Sequence, residues 1–233
     1  KDFCEHAVNH VPDEKLPIPQ GQTKIEFIKF ISGIIFDPTI APKKVSLDSK
    51  TDLIKSSAVN FYEGVNQNEV SGFYAAMVNK KSNENPMYGL NSKVVKENGR
   101  LVEKTWKVGG MYDPAISEIV RWLQLASGVA ENDAQRAALD ELVAFYQTGD
   151  LRTFDDYSVA WVADTESRVD VVNGFIEVYG DPLGYRGAYE SVVSIRDMEA
   201  SKRIDAISKQ AQWFEDQSPL FPIHKKKDVK GIS

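Results

Sequence analysis

A chain of 233 residues, 42% hydrophobic and 27% charged, has enough apolar side chains for a packed core in one domain or two. No apolar run approaches the roughly 20 residues needed to cross a bilayer as a helix, so a membrane span is excluded. The formal charge of -6 argues against a nucleic-acid partner, which requires a clustered positive surface, and the single Cys4 excludes an intrachain disulfide.

The chain starts at Lys1 without a Met or a signal-like apolar region and stops just after a Lys-rich stretch, so both ends are expected to be cuts in a longer protein. Residues 1–9 are short and polar, and V-P-D-E-K-L-P-I-P-Q-G-Q reads as an extended linker. From Thr23, the residues Ile25, Phe27, Ile28, Ile31, Ile34 and Ile35 recur at helical spacing, which predicts a helix with one broad buried face that ends before Asp37-Pro38. Helices are also expected over 51–63 and 66–79, with Phe61-Tyr62 and Phe73-Tyr74 as core anchors. Residues 92–108 read as two strands joined at Asn98-Gly99, the pair that best suits a tight hairpin turn.

Asp113 and Pro114 supply an N-cap and a first-turn proline for a helix turning Ile116, Ile119, Val120, Leu123 and Leu125 inward. Asn132 with Gln135 opens another, whose Leu139, Leu142, Val143 and Phe145 extend the apolar stripe to Gly149. The two are expected to pack as an antiparallel pair. After a short segment around 154–162, strand 169–179, the turn D-P-L-G and strand 188–195 form a second hairpin. Asp197 then caps a last helix, to about Phe214, that buries Ile204, Ile207, Ala211 and Phe214, and S-P-L-F-P-I leads out of it. The total is α+β, helix-rich with two β-hairpins. It divides into an N-terminal segment and linker (1–22), a helical and hairpin region (23–218), and an exit loop with a basic, solvated tail (219–233).

Self-contained catalytic sets are not evident. His6 and His10 would share a helix face as in H-E-x-x-H zinc sites, but Ala7 stands where the general base belongs and a third protein ligand is missing, so they read as exposed histidines. Gly109-Gly110 is followed by Met-Tyr-Asp-Pro, which is no phosphate loop, no G-x-S-x-G elbow occurs, and Cys4 is poorly placed as a nucleophile. Acid pairs such as Asp155-Asp156 read as solvated surface. On the strand from Val169, Asp170, Val172, Gly174 and Ile176 share one face and Val171, Asn173, Phe175 and Glu177 the other. Gly174 in mid-strand marks either a bulge or close approach by another backbone or a ligand, and the latter would suit a peptide cleft.

The stretch V-D-V-V-N-G-F-I-E-V-Y-G-D-P-L-G-Y-R-G, Val169 to Gly187, resembles the V-E-S-Y-I-G-F-I-E-x-Y-x-D-P-x-G-x-R-G signature of dipeptidyl peptidase III enzymes. M-Y-G-L-N-S-K-V-V-K-E-N-G, V-G-G-M-Y-D-P-A-I-S-E-I-V and A-E-N-D-A-Q-R-A-A-L-D-E-L-V-A-F-Y-Q-T-G-D-L are similar to further segments of that family. The resemblance implies a zinc-dependent, two-lobed metallopeptidase that releases dipeptides from the free N-terminus of oligopeptides. It places this chain mainly in the lobe built around a β-barrel. The family's H-E-x-x-G-H and E-E-C-R-A-E motifs do not occur in these residues. The chain is therefore expected to be the substrate-binding fragment: zinc belongs to the full-length parent, this fragment holds no metal, and alone it is inactive.

By position, Asp170 matches the family's Glu that binds the substrate's α-ammonium, and Asp170, Asn173 and Gly174 are the substrate-binding residues the resemblance implies. Val172 stands where the family has a Tyr that contacts the scissile region, and Val cannot donate a hydrogen bond. That departure supports an alternative reading as a non-catalytic peptide-binding or protein-interaction module. Expected partners are an oligopeptide substrate and the zinc-bearing lobe of the parent, with no nucleic acid and no membrane span, and the expected compartment is the cytoplasm.

Overall fold

The computed structural model describes residues 1–78, 80–81 and 85–229. In chain order it places α1 (Asp2–Asn9), a 3-10 turn (Asp13–Lys15), α2 (Lys24–Phe36), β1 (Tyr62–Glu63), α3 (Gln67–Met77), β2 (Ser92–Glu97), β3 (Arg100–Thr105) and α4 (Asp113–Gly128). There follow α5 (Asp133–Thr148), α6 (Leu151–Ala163), β4 (Val169–Glu177), β5 (Ala188–Ile195), α7 (Met198–Ser208), α8 (Ala211–Gln217) and a 3-10 turn (Pro222–His224). The fold is α+β, as the sequence predicts. One sheet runs β1-β2-β3, with β1 parallel to β2 and β3 antiparallel, and the β4–β5 hairpin stands as a second. Asn98 and Gly99 both take positive φ, 50° and 78°, which closes the first hairpin as expected.

The helical core forms where the sequence places it. Ile116, Val120 and Leu123 of α4 pack with Leu139, Leu142, Val143, Phe145 and Tyr146 of α5, and with Trp106, Tyr157 and Phe175. Leu125, expected inward, is 54% exposed, because it lies two residues and about 200° round the helix from Leu123. Asp113 also differs from expectation: Tyr112, at φ 64°, occupies the N-cap position. The Asp113 carboxylate instead accepts from Gly109 N–H at 2.6 Å and Ser117 Oγ at 3.1 Å.

Other expectations are corrected, and residues 1–9, read only as short and polar, acquire an element. Residues 1–9 are mainly α1, a helix with Asp2 and Glu5 in its first turn, which packs on α2. Residues 51–63 form turns and β1, because the Asp52 carboxylate captures the N–H groups of Ile54, Lys55 and Gln67 while Tyr62–Glu63 pair with β2. The segment around 154–162 is a full helix, α6, capped by Asp150. The last helical stretch breaks into α7 and α8, and Ile204, Ile207 and Phe214 are exposed rather than buried. On α2 likewise, Phe27 and Ser32 are buried, whereas Ile25, Phe30, Ile34 and Ile35 lie open.

The two sheets are joined through one buried cation. Arg186, with 0% of its surface exposed, sits in the β4–β5 connection and donates from Nε to the Ser92 carbonyl at 3.0 Å, from Nη1 to Tyr62 Oη at 3.3 Å and from Nη2 to Tyr74 Oη at 2.5 Å. Its guanidinium lies 4.7 Å and 5.0 Å from the ring centres of Tyr62 and Tyr74. The Tyr62 hydroxyl donates to Asp181 at 2.6 Å, and the hydroxyls of Tyr74 and Ser92 each donate to Glu103 at 2.6 Å. Burial pushes both tyrosine hydroxyls well above the ordinary phenol range, so both stay protonated and serve as donors. Asp181 also accepts the N–H groups of Leu183, Tyr185 and Arg186, which folds the D-P-L-G-Y-R turn onto its own first residue. Gly187 completes the junction: its N–H reaches the Leu90 carbonyl at 2.9 Å, and a Cβ there would sit 2.6 Å from the Phe175 carbonyl carbon.

The start of β4 is held from the other side. The Glu131 carboxylate accepts Arg168 N–H at 3.0 Å and Val169 N–H at 2.8 Å, and these bonds, Val169's first, hold its pKa below the ordinary carboxylate value.

Removing the guanidinium leaves Asp181 and Glu103 beside a void, so Arg186→Ala is expected to cost about 3–5 kcal/mol. Urea denaturation checks this, and an unchanged midpoint would show the network to be dispensable. A depressed carboxyl contributes order above its unfolded pKa and loses it as pH falls through the folded value. Glu131→Ala is therefore expected to speed amide exchange at Arg168 and Val169 at neutral pH. In the unaltered chain the same amides lose protection only on acidification below the ordinary carboxylate range.

Candidate functional site

Strand β4 carries the residues that the sequence marks for peptide binding, and α6 lies along it. The indole Nε1–H of Trp161 donates to Asp170 Oδ1 at 2.7 Å, and the Tyr157 hydroxyl donates to the Val171 carbonyl at 3.2 Å. A Cβ on Gly174 would lie 2.7 Å from the ring of Phe154. Phe154, Tyr157 and Trp161 are spaced by three and four residues, so one face of α6 meets β4 at three successive heights.

This geometry resolves the two readings of Gly174. The register irregularity of the hairpin falls between Phe175 and Glu177, and what approaches the missing side chain is an aromatic ring of the chain itself. Gly174 thus lets α6 seat closely against the strand.

Asn173 lies on the opposite face and is only 5% exposed. Its Oδ1 accepts from the Tyr146 hydroxyl at 2.5 Å, while Nδ2 donates to Tyr189 Oη at 3.0 Å and Ser191 Oγ at 3.1 Å. Burial raises the Tyr146 hydroxyl far above the usual phenol range, so it remains a donor. Asn173 therefore ties β4 to both α5 and β5. Val172 is half-buried opposite Val192 in the hairpin register.

Asp170 itself is exposed and lines a cleft of about 720 Å³ between the start of β4, the end of β5 and α7. Arg168, Arg196 and Ile204 share that cleft with Asp164 and Asp197. The last two carboxylates act as local caps: Asp164 accepts the N–H of Ser167 at 3.2 Å, and Asp197 those of Glu199 at 2.9 Å and Ala200 at 3.0 Å. Asp170 caps no backbone N–H and forms no ion pair with a described residue. Its charge rests on one neutral donor.

His6 and His10 do come together on α1 and its cap, with ring centres 4.0 Å apart, but His10 Nδ1–H is given to the His6 carbonyl at 2.7 Å. Among the described residues no group of three or more His, Cys, Asp or Glu side chains is placed to hold a metal ion. The described residues therefore offer no ligand set that fits a catalytic zinc. Asp155 and Asp156 lie exposed on α6, where burial and then the neighbouring Asp156 charge raise the Asp155 carboxyl. The contacts missed from sequence are those of Phe154, Tyr157 and Trp161. Their helical spacing after the capping residue Asp150 was the available signal.

The family model of Peptidase family M49 matches residues 48–227, which takes in everything from β1 to α8. Dipeptidyl peptidase 3 of Nematostella vectensis is 34% identical over 120 residues, 52% of this chain and 16% of that protein. Dipeptidyl peptidase 3 of Homo sapiens is 27% identical over 117 residues, 50% of this chain and again 16% of the relative. Among solved structures, DPP III from Caldithrix abyssi superposes with a TM-score of 0.58 at 17% identity, covering 97% of this chain and 40% of that one. Dipeptidyl-peptidase III from Corallococcus sp. strain EGB gives 0.52 at 20% identity, covering 72% and 30%. At these identities the structures speak for the fold alone, and the chain spans less than half the length of the relatives it matches. With the family model spanning both sheets and the whole signature hairpin, the chain belongs to Peptidase family M49, the dipeptidyl peptidase III family.

Proposed function

We propose that this chain is the substrate-binding part of a zinc-dependent dipeptidyl peptidase that releases dipeptides from the free N-terminus of oligopeptides. The observation that carries the reading is the Asp170 carboxylate at the mouth of the cleft, on the signature strand and without a cationic partner among the described residues. A protonated α-amine is the group such a carboxylate recognises, through a charge-assisted hydrogen bond at the cleft surface. Anchoring the amine there fixes how far the chain extends before the scissile bond, since each extended residue advances about 3.3 Å. An extended peptide then takes its affinity from main-chain bonds and little from its side chains. In this reading Asn173 and Gly174 contribute to substrate binding by setting the line of the strand, one through its bonds to Tyr146, Tyr189 and Ser191, the other by admitting Phe154.

The covered share of the relatives supports placing this chain as one part of a longer protein, with 23–218 as the lobe fragment, 1–22 as its leading segment and 219–233 as its exit. The zinc and its ligands then belong to the rest of that protein, which is also the principal partner of this part, and this part alone hydrolyses nothing. No described helix is long and apolar enough to cross a membrane. Independently of that, the proposal places the whole peptidase in the cytoplasm. One observation favours a second reading: Val172, half-buried and without a hydrogen-bonding group, stands where the resemblance implies a Tyr. A full-length protein that binds free-amine peptides without cleaving them would be the non-catalytic module.

The test is dipeptide release by the full-length protein from a short peptide and from its N-acetylated form, with and without a zinc chelator. Chelator-sensitive cleavage of the free-amine peptide alone is the expected result. Asp170→Asn is expected to lower kcat/KM about 10- to 100-fold, the scale of one lost charge-assisted bond. Equal cleavage of the acetylated peptide would remove Asp170 from its assigned role.

A further inference from the structure

We propose that Asn98 is a site of spontaneous covalent modification: attack by the Gly99 backbone nitrogen on the Asn98 carboxamide converts residue 98 to isoaspartate and aspartate in the folded protein. The chain holds one other Asn-Gly pair, Asn173-Gly174, and its surroundings keep that pair unmodified. The inference is independent of the peptidase reading and of the role given to Asp170.

The chemistry needs only water. The Gly99 nitrogen gives its proton to a solvent base and bonds to the side-chain carbonyl carbon of Asn98. The carboxamide nitrogen takes up a proton and leaves as ammonia, which closes a succinimide ring. Water then opens the ring at one of its two carbonyls: a C–N bond breaks, a C–O bond forms, and the product is aspartate or isoaspartate. Glycine in second place favours the first step, because no side chain crowds the attacking nitrogen.

The two pairs are alike in sequence and opposite in setting. Residues 96–100 are all exposed. No described residue bonds the Asn98 side chain or the Gly99 N–H, and a Cβ on Gly99 would meet no atom within 4 Å. Positive φ at both residues, 50° and 78°, belongs to the closed turn rather than to the ring, so residue 98 reacts when the turn opens. Opening is easy there, since the turn is closed by the last ladder pair, Glu97 with Arg100, and ladder ends fray at little cost.

Asn173 has no such freedom. It is 5% exposed, and its carboxamide accepts from Tyr146 and donates to Tyr189 and Ser191. Its strand neighbours are held in register with β5, and the ring of Phe154 fills the space beside Gly174. Swinging the carboxamide toward the Gly174 nitrogen would break all three bonds and leave buried groups unpaired. Residue 173 therefore reacts only after the second hairpin unfolds.

The fold can absorb the change at residue 98. Isoaspartate carries the main chain through the side-chain carbon, which adds a backbone atom to a two-residue turn. The disturbed end holds the Glu97–Lys104 ion pair at 2.6 Å, whereas Ser92, which supports the Arg186 cluster, lies at the opposite end of the hairpin.

The experiment incubates the full-length protein at mildly alkaline pH in heavy-oxygen water, folded and in concentrated urea. Peptides carrying residues 98 and 173 are followed by mass spectrometry, with fragmentation that separates isoaspartate from aspartate. In the folded protein residue 98 is expected to convert at least about 100-fold faster than residue 173, the factor that breaking three ordinary hydrogen bonds imposes. Each product carries one heavy oxygen. In urea the two residues are expected to convert at comparable rates, because the surroundings that separate them are gone. Equal rates in the folded protein, or a residue 98 that stays an amide there while converting in urea, would overturn the proposal. A difference that persists undiminished in urea would trace to neighbouring side chains and sink the structural cause. Tyr146→Phe keeps the packed ring and deletes one bond to Asn173, so it is expected to speed conversion at residue 173 about three- to tenfold and leave residue 98 unchanged. An unchanged rate at residue 173 would show that the bonds of its carboxamide are not what protects it.

Discussion

A guanidinium with no exposed surface has to be surrounded by acceptors and aromatic faces, and the arrangement of both sheets follows from how Arg186 meets that requirement. Its acceptors come from far apart in sequence: the Ser92 carbonyl opens the first hairpin, Tyr62 lies on β1 and Tyr74 on α3. The two acids are set one step back, each reached through a tyrosine hydroxyl, so the cation is not paired directly with either carboxylate. Burial keeps those hydroxyls protonated, which makes them fixed donors to the acids and acceptors for the cation at once. Because the network spans residues 62 to 186, it can form only when the second hairpin is already seated on the first sheet.

Seen from β4, the molecule holds the strand by several independent contacts. Glu131 grips the amides at its start, Asn173 ties its middle to α5 and β5, and the turn that follows it is locked by Asp181 and Arg186. Along the other face α6 adds Trp161, Tyr157 and Phe154. What remains exposed on this supported strand lies at its two ends: Val169 and Asp170 at the start and Glu177 at the finish. A preorganised anchor on a rigid element can hold its ligand without first being ordered by it.

Much of this was legible in the sequence, and the parts that were not share a cause. The Asn98-Gly99 turn, the caps at Asn132 and Asp197 and the stripe on α5 all depend on local chemistry, and local chemistry can be read from neighbours in the chain. The signature hairpin likewise appears with nearly the expected ends. Residues 51–63 misled because their helical pattern competes with Asp52 and with the parallel pairing of Tyr62 to Val94, a partner more than thirty residues on. Ile204, Ile207 and Phe214 show a periodicity that would suit burial, but periodicity says only which side is apolar and not whether anything covers it. The role of Arg186 was invisible for the same reason: a lone arginine in a turn reads as solvated until the three tyrosines around it are brought together.

The signature that identifies the family therefore divides into two kinds of residue. From Asp181 to Gly187 each polar or glycine position has a structural duty that can be named: the Asp181 clasp, the positive φ of 70° at Gly184, the buried Arg186, and Gly187 against the Phe175 carbonyl. Gly174 and Asn173 in the first half are also accounted for by packing and hydrogen bonds within the chain. Asp170, Glu177 and Tyr179 are different: all three are exposed, Asp170 has one bond, from Trp161, and no side-chain hydrogen bond or ion pair with a described residue occupies the other two. Exposed polar side chains on a braced strand, with few or no internal partners, are open to solvent and ligand alike. The line of the strand that carries them is set by Gly174 and Phe154 from one face and by Asn173 from the other.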